Sequence, residues 1–417
     1  MRVFMMDLLS IVPYYDGHLC AALASEDGLR VTLGAITYQH DRGYFRRQGV
    51  RNRPGLDIAA RLPLPAALLR PLKALEATLN LAALALRFVV SRPDVVHVQF
   101  LPLMELGIPI ERWVLRAVRA LGIKVVHTVH NVLPPATERV TTVGRHRSLY
   151  REVYEFADAL ICHNERAKTR LVREFGVSPE RVRVIPHGPL FECLCSETRE
   201  EARGRLGLEA DECLVLLQGI LRPYKGVSFL LKAWREVAGS GRSPRLAIVG
   251  TGKNESMRSI RDDVAALGIG SSVRLEFKFV TVEELGRWYR ASDVLVYPYS
   301  EATTSGALMT GITYGKAIVA TTTPAVSQLL RDGENALLVD YGDVSGLAGA
   351  LRRLISDDRF RHRLAKEAQD LWATIPRWPA VARQTREYYE AVMASDGTVQ
   401  TVPHGKRGDE RGEFSGF

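Results

Sequence analysis

Ten short apolar runs recur along the chain, and helix-length segments separate most of them. The first series covers residues 2–6, 31–36, 95–100, 124–130 and 159–163, and the second covers 213–219, 245–250, 273–277, 293–298 and 317–321. Apolar runs of this length between helical patterns are typical of strands in parallel sheets that are covered on both faces. Because the runs form two series, the sequence predicts an α/β fold of two Rossmann-like, doubly wound domains.

The two series meet between residues 185 and 196, and the 417-residue length suits two domains. We expect an N-terminal domain at residues 1–190 and a C-terminal domain at residues 196–375. Ser196 is predicted to cap the first helix of the second domain. A last helical pattern covers residues 376–393, and the Gly- and charge-rich residues 394–417 are predicted to be disordered.

The net charge of +9 falls entirely in residues 1–190, which hold 26 Lys and Arg against 17 Asp and Glu. A basic half can meet an anionic membrane surface or simply face solvent, and the sequence leaves both open. It contains no nucleic-acid-binding motif, so we expect no nucleic-acid partner. Five cysteines without a C-x-x-C pair, and no signal-peptide pattern, predict a cytoplasmic protein, open to peripheral attachment at the inner face of the plasma membrane.

Residues 64–90 are the most apolar helical pattern of the chain. The longest run without a charge, 77–86, is far shorter than the roughly 20 residues of a spanning helix. The segment is therefore either a helix packed on the core, which we favour, or an amphipathic helix at a membrane interface. The neighbouring loop 42–53 is rich in arginine, and it could bind phosphates or face solvent.

The segment Tyr297–Gly315 joins the end of one apolar run to a new helical pattern. Thr304, Ser305 and Gly306 are small residues at the predicted start of that helix, where free amides favour an anion such as phosphate. Glu301 would lie beside that phosphate and could accept hydrogen bonds from the hydroxyls of an attached sugar. The alternative is an acid that serves as a helix cap.

The segment GILRPYKG follows another apolar run. Gly219 stands at the strand end, and Arg222 and Lys225 are two cations that could neutralise a diphosphate and stabilise it as a leaving group. A second strand-end glycine turn, IVGTG, supplies Gly250 and Gly252, which would allow a close contact with phosphate or sugar.

In this order, GILRPYKG, IVGTG and PYSEATTSG resemble the donor-binding domain of the retaining, GT-B-fold glycosyltransferases of family four, the glycosyl transferases group 1. The resemblance implies a nucleotide-sugar donor bound in a cleft between two Rossmann-like domains, and a C-terminal helix that returns to the N-terminal domain. It also implies a metal-independent transfer with no cofactor. The sequence has no Asp-x-Asp motif and no metal-ligand spacing among its histidines.

Carried onto this sequence, the resemblance makes Glu301 the acid that holds the donor sugar and Arg222 and Lys225 the diphosphate pair. It makes Phe279 and Val280 the contacts of the base, with apolar packing as the alternative.

In the N-terminal half the resemblance makes His130 the histidine near the reacting sugar, so Glu301 and His130 are the predicted catalytic residues. Gly17 matches the glycine-rich first loop, and the nearby Tyr14 and His18 are predicted to shape the acceptor pocket, although Tyr14 could simply pack. For His97, His127, His163 and His187 we expect structural roles; none has metal-ligand spacing.

One departure from the family lies eight residues after Glu301, where a second glutamate usually holds the ribose. Here that place is taken by Met309, or by Thr310 if the alignment is anchored on Gly315. Ribose binding must therefore differ or depend on Thr310, or the chain is a non-catalytic relative.

The function we predict is transfer of a sugar, with retention of anomeric configuration, from a nucleotide sugar such as a UDP- or GDP-sugar to a glycan or lipid-linked acceptor in bacterial polysaccharide or envelope synthesis. The alternatives are a non-catalytic sugar-nucleotide-binding scaffold protein and a sugar-nucleotide epimerase. The sequence shows no acid/base pair suited to the epimerase.

Overall fold

The computed structural model describes residues 1–35, 43–53, 55–105, 109–133, 140–191, 196–238, 244–301, 305–324 and 326–395. These residues form two six-stranded sheets, and every strand pairs in parallel with its neighbours. The predicted fold class of two doubly wound α/β units is confirmed.

The first sheet has the order β2-β1-β3-β4-β5-β6. Its strands are β1 Arg2–Met6, β2 Arg30–Gly34, β3 Val95–Val98, β4 Lys124–Val129, β5 Ala159–Cys162 and β6 Val182–Val184. The helices of this half are α1 Pro13–Ala24, α2 Tyr44–Arg47, α3 Ala66–Val90, α4 Pro102–Glu105, α5 Ile110–Ala120, α6 Val140–Phe156 and α7 Glu165–Phe175. The inner strands are buried on both faces, as their continuous apolar runs require.

The second sheet has the order β12-β11-β10-β7-β8-β9. Its strands are β7 Cys213–Gln218, β8 Pro244–Gly250, β9 Val273–Phe277, β10 Val294–Tyr297, β11 Ala317–Thr321 and β12 Leu337–Val339. Its helices are α8 Arg199–Leu206, α9 Val227–Val237, α10 Asn254–Ala266, α11 Val282–Ala291, α12 Gly306–Thr313, α13 Val344–Ser356 and α14 Asp358–Thr374. Separate apolar clusters cover the two faces of this sheet.

The last helix, α15 Trp378–Ala394, returns to the first sheet, as predicted. It packs along α1, and its buried face joins the cluster beneath β1 and β4. Tyr389 contacts Nδ1 of His97 through its hydroxyl, and the indole N–H of Trp378 donates to the carbonyl of Pro189 at 2.6 Å. The C-terminal helix thereby ties the end of the chain to the connection between the two sheets.

The cap of α8 differs from the prediction. Thr198, not Ser196, precedes the helix; its hydroxyl accepts from the amide of Glu201, whose carboxylate in turn accepts from the amide of Thr198. This reciprocal pair satisfies two amides that a helix start leaves free, which a single serine two residues earlier cannot do.

Candidate active site at the carboxyl ends of the strands

The predicted donor residues follow four strands that are neighbours in the second sheet, β10, β7, β8 and β9. Parallel strands end at the same edge of a sheet, so the four loops after them are brought side by side. The sheet order reverses between β7 and β10, and such a switch point is where open α/β sheets bind ligands.

Gly219 and Gly250, at the ends of β7 and β8, lie against each other. Both have left-handed backbone conformations, with φ of 130° and 146°, and a Cβ on Gly250 would stand 1.9 Å from the carbonyl oxygen of Gly219. Gly252 is similarly close to Leu221: a Cβ there would stand 2.8 Å from the carbonyl oxygen. A side chain at position 219 or 250 would therefore strain the backbone.

Lys225 is buried beside the end of β7. Its ammonium donates to the hydroxyl of Tyr299 at 2.7 Å and lies 4.1 Å from the centre of that ring. A Cβ on Gly219 would stand 3.5 Å from the same nitrogen. Burial lowers the pKa of Lys225 from 10.5 to about 8. Among the described residues this ammonium has no carboxylate partner, so an anionic ligand would supply the charge that the site lacks.

The loop that carries Lys225 is packed on the loop that carries Glu301. The amide of Ser300 donates to the carbonyl of Tyr224 at 2.9 Å, and a Cβ on Gly226 would stand 1.8 Å from the carbonyl oxygen of Pro298. Glu301 follows and is exposed. Its carboxylate is thus exposed to solvent, on a loop that packs against the loop of the buried Lys225.

Arg222 is exposed at the start of the short 3-10 helix Pro223–Lys225, and its backbone carbonyl accepts from the amide of Lys225. Phe279 and Val280 lie between β9 and α11 and are half-buried. Val280 packs against the cluster that contains Leu285 and Trp288. The apolar-packing alternative therefore describes what Val280 does in this structure.

Helix α12 begins at Gly306 with Ser305 as its cap, whose hydroxyl accepts from the amide of Leu308. A Cβ on Gly306 would stand 2.3 Å from Cδ1 of Leu190, in the connection between the two sheets. This start of the helix thus faces the first half of the chain. Thr304 lies outside the described residues.

Thr310, the residue that could replace the usual carboxylate at the ribose, lies inside α12, and its contact with a ribose stays a prediction. Thr310 is fully buried, and its hydroxyl donates to the carbonyl of Gly306 at 2.7 Å within the helix. Met309 is buried in the cluster on the same side of the sheet. Both side chains are buried, and neither is a carboxylate.

His130, at the end of β4, is part of a chain of buried side chains at the edge of the first sheet. Its Nδ1 lies 3.1 Å from Nε2 of His163, and Nδ1 of His163 lies 3.1 Å from the carbonyl of Ile185. The ring of Tyr15 stands edge-on to His130, with 4.7 Å between ring centres. Burial, followed by the neighbouring histidines, lowers the pKa of His130 well below its ordinary value, and burial lowers that of His163 to about 4.

Because a carbonyl only accepts, Nδ1 of His163 donates to Ile185. Nε2 of His163 faces Nδ1 of His130. Nε2 of His130 lies 2.9 Å from Oε1 of Gln99, whose amide nitrogen donates to Sδ of Met5 at 2.8 Å. Both ring nitrogens of His130 are engaged within the protein.

For the other histidines, structural roles stay predictions. Their contacts are consistent with such roles. His97 bonds to Thr128 and Tyr389, and His127 to the carbonyl of Val98. Among the described residues, histidines included, no three or more potential metal ligands form a group.

The predicted acceptor residues lie on α1, next to the connection between the sheets. His18 contacts the carbonyl of Leu190 through Nε2 at 2.7 Å and stacks on Trp378. Tyr14 packs edge-on against Tyr44 and Phe191. Leu190 contacts His18 on one side and Gly306 on the other, so the two halves of the candidate site meet at this residue.

Gly17 allows α1 to approach α2. A Cβ on Gly17 would stand 2.6 Å from Cε1 of Tyr44, which leaves no room for a side chain. The resemblance matched Gly17 to a glycine-rich loop, whereas the structure places it inside α1, and the reason for glycine at this position is a close contact with Tyr44 of α2.

A buried carboxyl pair, Asp7 and Asp16, lies beneath the loop after β1, and sequence reasoning did not single it out. One oxygen of Asp7 accepts from the amide of Val12 at 3.0 Å, while its other oxygen and both oxygens of Asp16 have no partner outside the pair. Burial raises the pKa of both, and the facing Asp7 further raises that of Asp16. Two facing carboxyls without a cation are not both ionised, so the pair holds at least one proton.

A cavity of about 940 Å³ opens at the opposite, amino-terminal edge of the second sheet. Its lining begins at the first residues of β7 and β8, and its charged groups pair with each other, as Arg199 does with Asp293 at 2.8 Å. The size of this cavity does not make it the candidate site, because ligands of such sheets bind at the carboxyl ends of the strands.

Two sequence models of families match the chain, one for each sheet. The Glycosyltransferase Family 4 model matches residues 17–188, and the Glycosyl transferases group 1 model matches residues 212–357. Together with the two doubly wound sheets, these matches define the chain as a glycosyltransferase with the GT-B fold, as the sequence motifs predicted.

Among curated proteins, the chain is similar to the D-inositol 3-phosphate glycosyltransferase of Nocardioides sp., at 29% identity over 321 residues, 72% of this chain and 68% of that protein. Among solved structures it is similar to sucrose-phosphate synthase from Thermosynechococcus elongatus, with a TM-score of 0.75 and 19% identity over 94% of this chain and 99% of that one. It is also similar to HepE of Anabaena in complex with UDP-glucose, with a TM-score of 0.74 and 16% identity over 94% and 100% of the two chains. At these identities the two structures show the fold.

Proposed function

We propose that this glycosyltransferase moves a sugar from a nucleotide-sugar donor to a glycan or lipid-linked acceptor with retention of anomeric configuration. The observation that carries the proposal is the buried ammonium of Lys225 at the junction of β7 and β10, with the exposed Glu301 on the adjoining loop. A buried cation and an exposed carboxylate on adjoining loops suit a diphosphate attached to a sugar.

In this proposal Lys225 neutralises the diphosphate, and Arg222 reaches it from solvent with a guanidinium that can fork across two oxygens. Charge develops on the diphosphate as the glycosidic bond to it breaks, so these contacts stabilise the transition state more than the ground state. The close approach of Gly219 and Gly250 leaves backbone, without side chains, at this strand edge. The free amides at the start of α12 supply further donors to the phosphate.

Glu301 accepts hydrogen bonds from hydroxyls of the donor sugar and thereby fixes its anomeric carbon toward the first sheet. The acceptor lies on the side of His18 and Tyr14. Attack on the same face that the diphosphate leaves, with a diphosphate oxygen accepting the acceptor's proton, accounts for retention without a protein nucleophile. His130, neutral in its buried chain, contributes a fixed wall beside the reacting sugar.

The relatives give the proposal a choice of substrates to test. HepE is described in complex with UDP-glucose, and the similar curated protein is named for an inositol phosphate acceptor. We therefore propose a UDP- or GDP-sugar donor, and a role in bacterial polysaccharide or envelope synthesis. A phosphorylated polyol belongs in the acceptor panel beside glycans and lipid-linked glycans.

The test of this proposal is to measure sugar transfer and donor hydrolysis with UDP-, GDP- and ADP-sugars. The wild type is compared with the variant Glu301→Gln and with the control variant Glu367→Gln. Glu367 is exposed on α14, so its variant makes the same chemical change away from the site. We expect Glu301→Gln to lower kcat/KM about 100-fold, the typical loss of one preorganised contact in a transition state. Equal activity of the two variants would reject the role of Glu301. NMR coupling constants of the product's anomeric proton test retention.

A second function, a non-catalytic scaffold that binds sugar nucleotides, is favoured by one observation: Met309 and Thr310 are both buried, and neither is a carboxylate. Titration calorimetry with nucleoside diphosphates, combined with the activity measurements above, distinguishes the transferase from the scaffold. Binding without turnover of any donor would support the scaffold and overturn the transferase proposal.

A further inference from the structure

Exposed apolar side chains are concentrated in one part of the surface. Among the described residues, sixteen large apolar side chains are exposed, and ten of them fall between residues 56 and 90. They are Leu56, Ile58, Leu62, Leu64, Leu68, Leu75, Leu79, Leu86, Val89 and Val90. Single exposed apolar residues need no explanation, whereas a contiguous apolar surface marks an interaction site.

On α3 these side chains form one stripe. Leu68, Leu75, Leu79, Leu86 and Val90 follow one another at spacings of seven, four, seven and four residues, which at about 100° per residue keeps them within roughly 60° of the helix circumference. They are 49–88% exposed. At a rise of 1.5 Å per residue the stripe is about 33 Å long.

The opposite side of α3 is the one that packs on the protein. Ala77, Leu81 and Phe88 are buried in the cluster of the first sheet, about half a turn away from the stripe. On the flank between the two, Asn80 donates to the carbonyl of Leu56, and Glu76 accepts from the amide of Ala59. The helix therefore already has its protein contacts, and the stripe is a second apolar face.

The exposed charges of this segment have one sign. Between residues 55 and 92, the exposed charged side chains that the structure describes are Arg61, Lys73, Arg87 and Arg92. The two acids of this segment, Asp57 and Glu76, are buried. A partner for this surface must offer an apolar phase and negative charge together.

The neighbouring helix α5, which packs against α3, adds an interfacial type of side chain. Trp113 is 56% exposed, and the guanidinium groups of Arg112 and Arg116 lie 4.9 Å and 5.0 Å from its ring centre. An exposed tryptophan beside arginines is typical of the level of the headgroups of a bilayer, where the ring is half in water and half in hydrocarbon.

We propose that α3 and the preceding residues 55–64 dock this glycosyltransferase on an anionic phospholipid bilayer, with α3 lying in the plane of the surface. A helix in this position buries an apolar face about 5–10 Å deep, and each lysine or arginine near an anionic surface adds about 1 kcal/mol. A second copy of the chain fits the surface less well, because a twofold contact between the stripes would bring the same cations together. No described helix has the length and hydropathy of a membrane span.

Partitioning to vesicles tests the proposal without reference to donor chemistry. The full chain is mixed with vesicles of phosphatidylcholine, alone or with 30% phosphatidylglycerol, at low and high salt, and bound protein is separated by flotation. The variant Leu75→Gln/Leu79→Gln/Leu86→Gln removes the middle of the stripe. The control Met393→Gln changes an exposed apolar residue of α15 away from it.

We expect binding of the wild type to anionic vesicles at least tenfold above neutral ones, weaker binding at high salt, and at least a tenfold loss in the triple variant. The control should bind like the wild type. Because the stripe is exposed, the triple variant should keep its melting temperature and its affinity for UDP, so a failure of docking is distinguishable from a failure of the proposed function. Equal partitioning of the triple variant and the wild type would overturn the proposal. So would a wild type that ignores anionic vesicles and dimerises in solution through the stripe.

Discussion

Replacement of Lys225 by methionine should stabilise the protein and weaken donor binding at the same time. The ammonium is buried, and burial lowers its pKa from 10.5 to about 8. At about 1.4 kcal/mol for each tenfold change in the acid constant, keeping this charge buried costs roughly 3 kcal/mol at pH 7. Loss of the hydrogen bond to Tyr299 offsets about 1 kcal/mol, so the net gain should be about 2 kcal/mol.

The stabilisation by Lys225→Met must decrease as the pH rises. Because the pKa of Lys225 is lower in the folded state than in the unfolded state, the cost is full below about pH 8 and disappears as the pH rises toward 10.5. We therefore expect the stabilisation by Lys225→Met to be smaller by roughly 2 kcal/mol at pH 9.5 than at pH 7.

Urea unfolding at the two pH values, followed by tryptophan fluorescence, measures the stability, and titration calorimetry with UDP measures the affinity. Truncating one partner of a buried charge pair costs about 2 kcal/mol or more, so the dissociation constant should rise at least about 30-fold. Lys232→Met, on the exposed face of α9, removes the same charge and is the control. An unchanged UDP affinity, or a stability gain that is the same at both pH values, would refute the reasoning.

Three further predictions follow from the buried groups. Asp16→Asn should gain stability over the wild type as the pH rises from 5 to 8 in thermal denaturation. The raised pKa of Asp16 makes the wild type lose stability as its unfolded state ionises, whereas Asn does not ionise. A stability difference that narrows over this range would contradict a protonated Asp16. Gly250→Ala should lower the free energy of unfolding by about 2 kcal/mol or more, because its Cβ would meet the backbone of Gly219. Gly349→Ala, within α13, where a Cβ would stand in open space, should not lower it. Because the pKa of His130 is lowered, the pH profile of kcat/KM should show no histidine ionisation near pH 6.5. An inflection near pH 6.5 that disappears in His130→Gln would contradict a neutral imidazole.

The inner strands could be predicted from the sequence because each is a continuous apolar run, and all ten predicted runs contain strands. The two strands that were not predicted, β6 and β12, have three residues each and stand at the edges of their sheets. β6 also carries the exposed Arg183, so it lacks the apolar run that a strand buried on both faces shows.

The predicted donor residues could be assigned to one edge of the second sheet because they follow strands directly, and strand order alone brings those loops together. The contacts that decide its chemistry could not be predicted, since they join distant residues: Lys225 with Tyr299, and Gly219 with Gly250. Thr310 shows the same limit, because its spacing from Glu301 suggested a ligand contact while its hydroxyl is bonded inside α12.

On the acceptor side, His130 could be selected by resemblance, but its neutral pairing with His163 depends on two strand ends that the sequence does not relate. The carboxyl pair of Asp7 and Asp16 had one signal in the sequence: an acid directly after a buried strand and a second acid in the first turn of the next helix.

Hydrogen exchange with and without a nucleoside diphosphate, read by mass spectrometry, tests the location of the donor site most directly. Bound UDP should slow exchange of the amides in residues 219–226 and 305–309, at the carboxyl ends of β7 and β10. The amides of residues 209–213 and 271–272, which line the cavity at the opposite edge of the same sheet, should exchange as before. Protection of the second set without the first would contradict the assignment of the donor site to Lys225 and Glu301.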